Sequence, residues 1–145
     1  MKLAPLLVLL ASSVTSLPAA DPAFDAWADA MAAEMVRASP GEATATQYFD
    51  GAEQDALDRL LTPITKEFRA SRVAAAKKAL GELGKFDRAK LDSPQRTSAA
   101  LIEWELSEDV NAEPFEDYRF VFNQFRGLQV GLVNFLSQTH PIRTK

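Results

Sequence analysis

The amino-acid sequence predicts an all-α protein: four or five helices of an incomplete helical domain, with an irregular aromatic segment near the C-terminus. Three observations predict it. Apolar residues recur at three- and four-residue steps over long stretches, the period of a half-buried helix. Asp21-Pro22, Thr62-Pro63 and Ser93-Pro94 repeat one start signal, a capping side chain followed by proline in the first turn. Alternation of strand type is nearly absent, the exception being Tyr118 to Phe122, a short extended piece by its pattern.

Residues 1–20 are set apart from that domain. Lys2 is followed by the apolar run Leu3 to Ala11, too short to span a bilayer, and then by small and polar residues ending in Ala19-Ala20. This is the pattern of a secretory signal peptide, so residues 21–145 are expected to be exported, with no membrane span once the leader is removed.

The first helix opens at Asp21-Pro22 and carries Phe24, Trp27, Ala28, Met31 and Met35 on one stripe, expected as core rather than as a ligand site. Ser39-Pro40-Gly41 ends it. The stretch from Gly41 to Gly51 reads as a connection with Tyr48 and Phe49 tucked under neighbours, closing on the turn signal Asp50-Gly51. A short helix from Glu53 to Leu61 directs Ala56, Leu57, Leu60 and Leu61 inward. Thr62-Pro63 opens a longer helix to about Leu83, with Ile64, Phe68, Ala75, Ala76, Ala79, Leu80 and Leu83 on its buried face. Small residues on that face allow a close helical neighbour. Phe86 to Asp92 is a loop. Ser93-Pro94 starts the next helix, where Ile102, Leu106 and Val110 form a stripe that Leu101 and Trp104 widen, and Pro114 ends it.

Charge is segmented. The formal net charge is −4, or −5 without Lys2, which argues against a nucleic-acid binder. Residues 21–58 carry nine acids and one arginine, residues 66–96 nine bases and four acids, and residues 99–117 seven acids and no base. Such alternation suits a basic helix packed between acidic ones; solvated faces without pairing give the same pattern.

Residues 114–143 are the densest in aromatics, holding five of the nine phenylalanines, Tyr118 and the single histidine, His140. From Leu128 to Leu136 apolar side chains point all round a helix, which is the pattern of a segment enclosed on every side. Little chain remains after it to supply that enclosure. Residues 114–143 are therefore expected to pack against a missing C-terminal half or another protein chain.

The search for chemistry returns little. With one histidine and no cysteine there is no zinc-ligand set, no thiolate nucleophile and no disulfide. No nucleophile elbow or phosphate-binding glycine motif occurs. The acids Glu103, Glu105, Glu108 and Asp109 read as a solvated face. No catalytic residue and no metal ligand is assigned. Arg119, Asn123, Arg126 and His140 are polar groups set among aromatics; they either line a cleft or satisfy loop backbone.

Three phrases carry a resemblance: ATATQYFDGAEQDALDRLLTP (43–63), SPQRTSAALIEWEL (93–106) and, most specifically, EPFEDYRFVFNQFRGLQVGLVNFLSQTHPIR (113–143). Together they resemble the N-terminal region of the bacterial domain-of-unknown-function 885 family, exported helical proteins several times longer. That family looks like zinc-dependent peptidases with an HExxH-type helix in their later part. The resemblance thus implies the opening helices of such a protein, with zinc expected only for a full-length relative and no cofactor in this chain. None of the motif residues exists here, so no role carries over and the chain alone is expected to be inactive. From another class, a small exported helical binding or inhibitor module would also need the C-terminal segment to dock on a partner.

Overall fold

A computed structural model describes residues 19–118, 120–125 and 127–141. Among them are six α-helices and no strand: α1 (Pro22–Ala38), α2 (Pro40–Thr46), α3 (Gly51–Leu57), α4 (Lys66–Leu83), α5 (Ser93–Ala112) and α6 (Leu128–Asn134). The all-α expectation holds, with six helices where four or five were expected. Of the expected leader, residues 1–20, only residues 19 and 20 are among the described residues.

Helices α1, α4 and α5 form the body. Asp21 caps α1, its carboxylate accepting the Ala23 N–H at 2.9 Å, with Pro22 in the first turn. Asp92 caps α5 within a reciprocal capping box completed by Gln95. Phe24 of α1 meets Leu83 of α4, Leu91 of the following loop and Ala99 of α5 in one buried cluster. Ala76 and Ala79 of α4 meet Leu106 of α5 in a second, covered by Met31, Met35, Ile102 and Val110. Contacts pairing early α4 with late α5, and early α1 with late α4, make α4 antiparallel to both of its neighbours. Alanine at the crossing lets the backbones approach.

One buried amide fixes how α1 and α5 align. Gln95 accepts the Asp21 N–H at 2.9 Å and donates to the Asp21 carbonyl at 2.9 Å and to Asp25 Oδ1 at 2.7 Å. It is buried, and its donors and acceptor are all engaged. The starts of two helices 74 residues apart are thereby held side by side.

A second polar knot joins α2 to α3. The buried Asp58 carboxylate accepts Thr44 Oγ1 at 2.9 Å and Gln54 Nε2 at 2.7 Å. Gln54 also donates to the Ala43 carbonyl at 3.1 Å and accepts the Phe49 N–H at 3.0 Å. The turn between the helices requires unusual backbone twice, at Gln47 (φ 49°) and Gly51 (φ 58°). Gln47 is tied down by its own side chain, which donates to the Thr44 carbonyl at 2.8 Å.

Several expectations are corrected here. Gly41 to Gly51 is not a bare connection, because Pro40 starts α2 inside it. Tyr48 lies exposed and stacks edge-on with Phe49 at 4.9 Å instead of tucking under a helix. The short helix stops at Leu57, where Asp58 turns inward, so Leu60 and Leu61 ride outside on an irregular stretch. Helix α4 starts at Lys66, capped by Thr65, and not at Pro63; Ile64 precedes it and is exposed. Ala75 faces outward while Val73 is buried. Leu101 and Trp104 do not widen the core face of α5; Trp104 is 65% exposed. Tyr118 closes a 3-10 turn over Glu113–Tyr118, and no strand follows among the described residues.

Replacing Gln95 with Met keeps the bulk and removes every polar contact of the amide. The Asp21 N–H then loses its partner in a part-buried place and the Asp25 carboxylate loses a donor, whereas the Asp21 carbonyl keeps the Asp25 N–H at 3.3 Å. A group left unsatisfied costs about 1–3 kcal/mol. Urea denaturation followed by circular dichroism is expected to show a loss of about 2–3 kcal/mol for Gln95→Met, and a much smaller one for Arg88→Met, whose bond to Glu103 is at the surface.

Candidate functional site

Two surfaces lack the packing that the rest of the body has. The first is an arm, residues 113–141. It leaves the body through a charge latch. Lys66 Nζ lies 3.0 Å from Asp117 Oδ2, Arg69 Nη2 3.1 Å from Asp117 Oδ1, and Arg69 Nε 3.7 Å from Glu116 Oε2. Lys77 reaches Glu113 at 2.8 Å, and Arg72 reaches Asp109 of α5 at 3.2 Å. The alternating charge of the sequence is thus realised as pairing between α4 and the acidic end of α5. Each exposed pair stabilises by only about 0.2–1 kcal/mol, so the latch orients the arm more than it stabilises the fold.

Beyond the latch the apolar side chains face outward. Phe115, Tyr118, Phe120, Val121, Phe122 and Phe125 are all exposed, Phe120 at 86%. Helix α6 shows Leu132 and Val133, and Leu136 follows in a single π turn. The segment expected to be enclosed on all sides is not enclosed by the preceding helices. Phe135 comes near the body, its ring edge 3.9 Å from where a side chain on Gly41 would begin.

Of the residues singled out from sequence, Arg119 and Arg126 lie outside the described residues. Asn123 shapes a turn. Its Oδ1 accepts the Phe125 N–H at 3.1 Å, and its carbonyl accepts Gln129 Nε2 at 2.7 Å and the Gly127 N–H at 3.2 Å. Gly127 is required there, since a Cβ would stand 2.5 Å from the Asn123 nitrogen. His140 rests against Phe135, ring centres 5.7 Å apart, and donates its backbone N–H to the Phe135 carbonyl at 2.7 Å. Their contacts here are to the arm's own backbone and rings.

The second surface is a cleft of about 480 Å³ between α1 and α4, closed at one end by the start of α2 and by Thr62. Trp27, Met31, Met35, Ala75 and Ala79 make its apolar wall; Glu34, Glu42, Glu82, Arg72 and Lys78 ring it. Trp27 Nε1 donates to Glu82 Oε2 at 3.0 Å, which fixes the indole. The sequence stripe Trp27, Met31, Met35 was expected as core. It serves as core on one side and as cleft wall on the other. The signal that could have revealed this is Ala75 opposite it, too small to fill the space. Among the described residues no three His, Asp or Glu side chains gather to hold a metal ion, and no helix is long and apolar enough to cross a membrane.

The arm being outside the core, Phe120→Ser together with Phe122→Ser is expected to leave the midpoint of denaturation within about 0.5 kcal/mol of the parent while reducing binding of an apolar dye. The latch carries a pH signature. The hydrogen bond from Lys66, helped by its charge and that of Arg69, lowers the pKa of Asp117 from its ordinary value. A lowered carboxyl contributes its attraction fully above the unfolded pKa and loses it as pH falls through the folded one. Acidification below the ordinary aspartate range is therefore expected to raise amide hydrogen exchange in residues 113–118 before it does so in α4 and α5.

Compared with family models, curated proteins and solved structures, this chain matches none.

Proposed function

We propose that this chain is the non-catalytic N-terminal helical part of an exported protein resembling zinc-dependent metallopeptidases, and that its arm docks on the catalytic part. The observation that carries the reading is the exposure of Phe115, Tyr118, Phe120, Phe122 and Phe125 in one short stretch. Contiguous apolar surface of this kind marks a place where another polypeptide packs. Large aromatics are the side chains that dominate such contacts when a partner covers them. The latch supports the same role, because salt bridges from α4 hold the start of the arm to the body without burying its rings. The body in turn supplies a rigid base, with α1 and α5 aligned by Gln95. In this reading the chain contributes a wall or cover beside a substrate cleft, and zinc and the general base come from the HExxH helix of the catalytic part.

The reading is tested by following the coding DNA past Lys145 for an HExxH-bearing helical region and producing that region together with this chain. A one-to-one complex is expected, disrupted by Phe120→Ser with Phe122→Ser, and binding zinc stoichiometrically when this chain alone binds none. Stoichiometric zinc on the chain by itself, or absence of any such region downstream, overturns it.

A further inference from the structure

We propose that the cleft between α1 and α4 is a binding site for an amphiphile with a cationic head and an apolar tail, the chemistry of a long-chain alkylammonium. Its volume of about 480 Å³ lies within the roughly 300–1,000 Å³ of small-molecule sites. No residue of the arm lines it. Its wall of Trp27, Met31, Met35 and two alanines offers no polar group to a tail, and methionine side chains adapt to an irregular chain.

The sign of the head follows from what the rim charges already do. Both bases on the rim are engaged: Arg72 with Asp109 at 3.2 Å, and Lys78 with Glu34 at 3.6 Å. Of the three rim carboxylates, Glu34 holds Lys78 and Glu82 holds the Trp27 N–H. Glu42, exposed at the α2 end, has neither an ion pair nor a side-chain hydrogen bond among the described residues. An anionic head entering here meets an unneutralised carboxylate and no free base. A cationic head meets the reverse. The tail lies over Met31 and Met35 and the head comes to rest near Glu42. This site is separate from the arm and stands whether or not the arm docks as proposed.

The test uses the full chain carrying Trp104→Phe, which leaves Trp27 as the one indole. The probes are dodecyltrimethylammonium and dodecanoate, each below its micelle concentration. Saturable change in Trp27 emission is expected with the ammonium, with dodecanoate at least about threefold weaker, the size of one exposed charge interaction. Ala75→Phe, at an outward position, fills the cleft and is expected to weaken the ammonium by about tenfold, as a lost apolar contact of this size does. Glu42→Gln is expected to weaken the ammonium by about threefold and to leave dodecanoate no weaker. Equal affinity for the two probes overturns the assignment of charge. Ammonium binding that survives Ala75→Phe overturns the site itself and assigns the binding to the exposed arm, as does binding without a Trp27 response.

Discussion

The body of this protein depends on one side-chain amide. Three helices can lie antiparallel in many registers, because alanine-rich faces slide past one another with little change in apolar contact. Gln95 removes that freedom. It reads both the N–H and the carbonyl of Asp21 and the carboxylate of Asp25, and in the same place it completes the capping box of its own helix. A buried amide satisfied on every side is directional in a way that leucine packing is not. With α1 and α5 aligned at their starts, Phe24 falls opposite Leu83, Leu91 and Ala99, and the rings of Phe24, Trp27 and Phe86 come within 6 Å of one another.

The central helix then divides its labour by face. Ala76 and Ala79 bring α4 close to α5. Its bases reach the acids at the end of α5 and the beginning of the arm. Its remaining face, with Ala75 exposed, stands off from α1 and leaves the cleft. Close approach on one side and open space on the other thus come from the same residue type. What differs is the neighbour: α5 presents Leu106 toward α4, whereas α1 presents long methionines that stop short of filling the gap.

Much of this was legible in the amino-acid sequence. The start at Pro22, the end of α4 at Leu83 and the inward set Phe24, Ala76, Ala79, Leu83 and Leu106 follow from capping residues and helical period, whereas α5 is capped one residue earlier than expected, by Asp92 instead of Ser93. Of the two readings the charge blocks left open, pairing between neighbours is the one that occurs. What failed has one physical character. Leu60, Leu61 and Ile64 were assigned inward because they are apolar, but the buried Asp58 turns the chain before them, and a polar knot is invisible to a count of apolar spacing. Leu91 and Phe86, in a segment read as loop, enter the core for the converse reason: a loop has no period to show which residue points in. The cleft was missed since a stripe can be core along one edge and wall along the other. The exposed rings of the arm agree with the reading that the chain's own helices do not cover it.

The latch by which the arm begins has a consequence for the life of the molecule in a cell. Salt bridges at the surface cost little to open, so aromatic chain is presented outward while the body stays folded. Proteases that begin on such exposed rings need not wait for α1, α4 or α5 to unfold, so turnover starts at the arm.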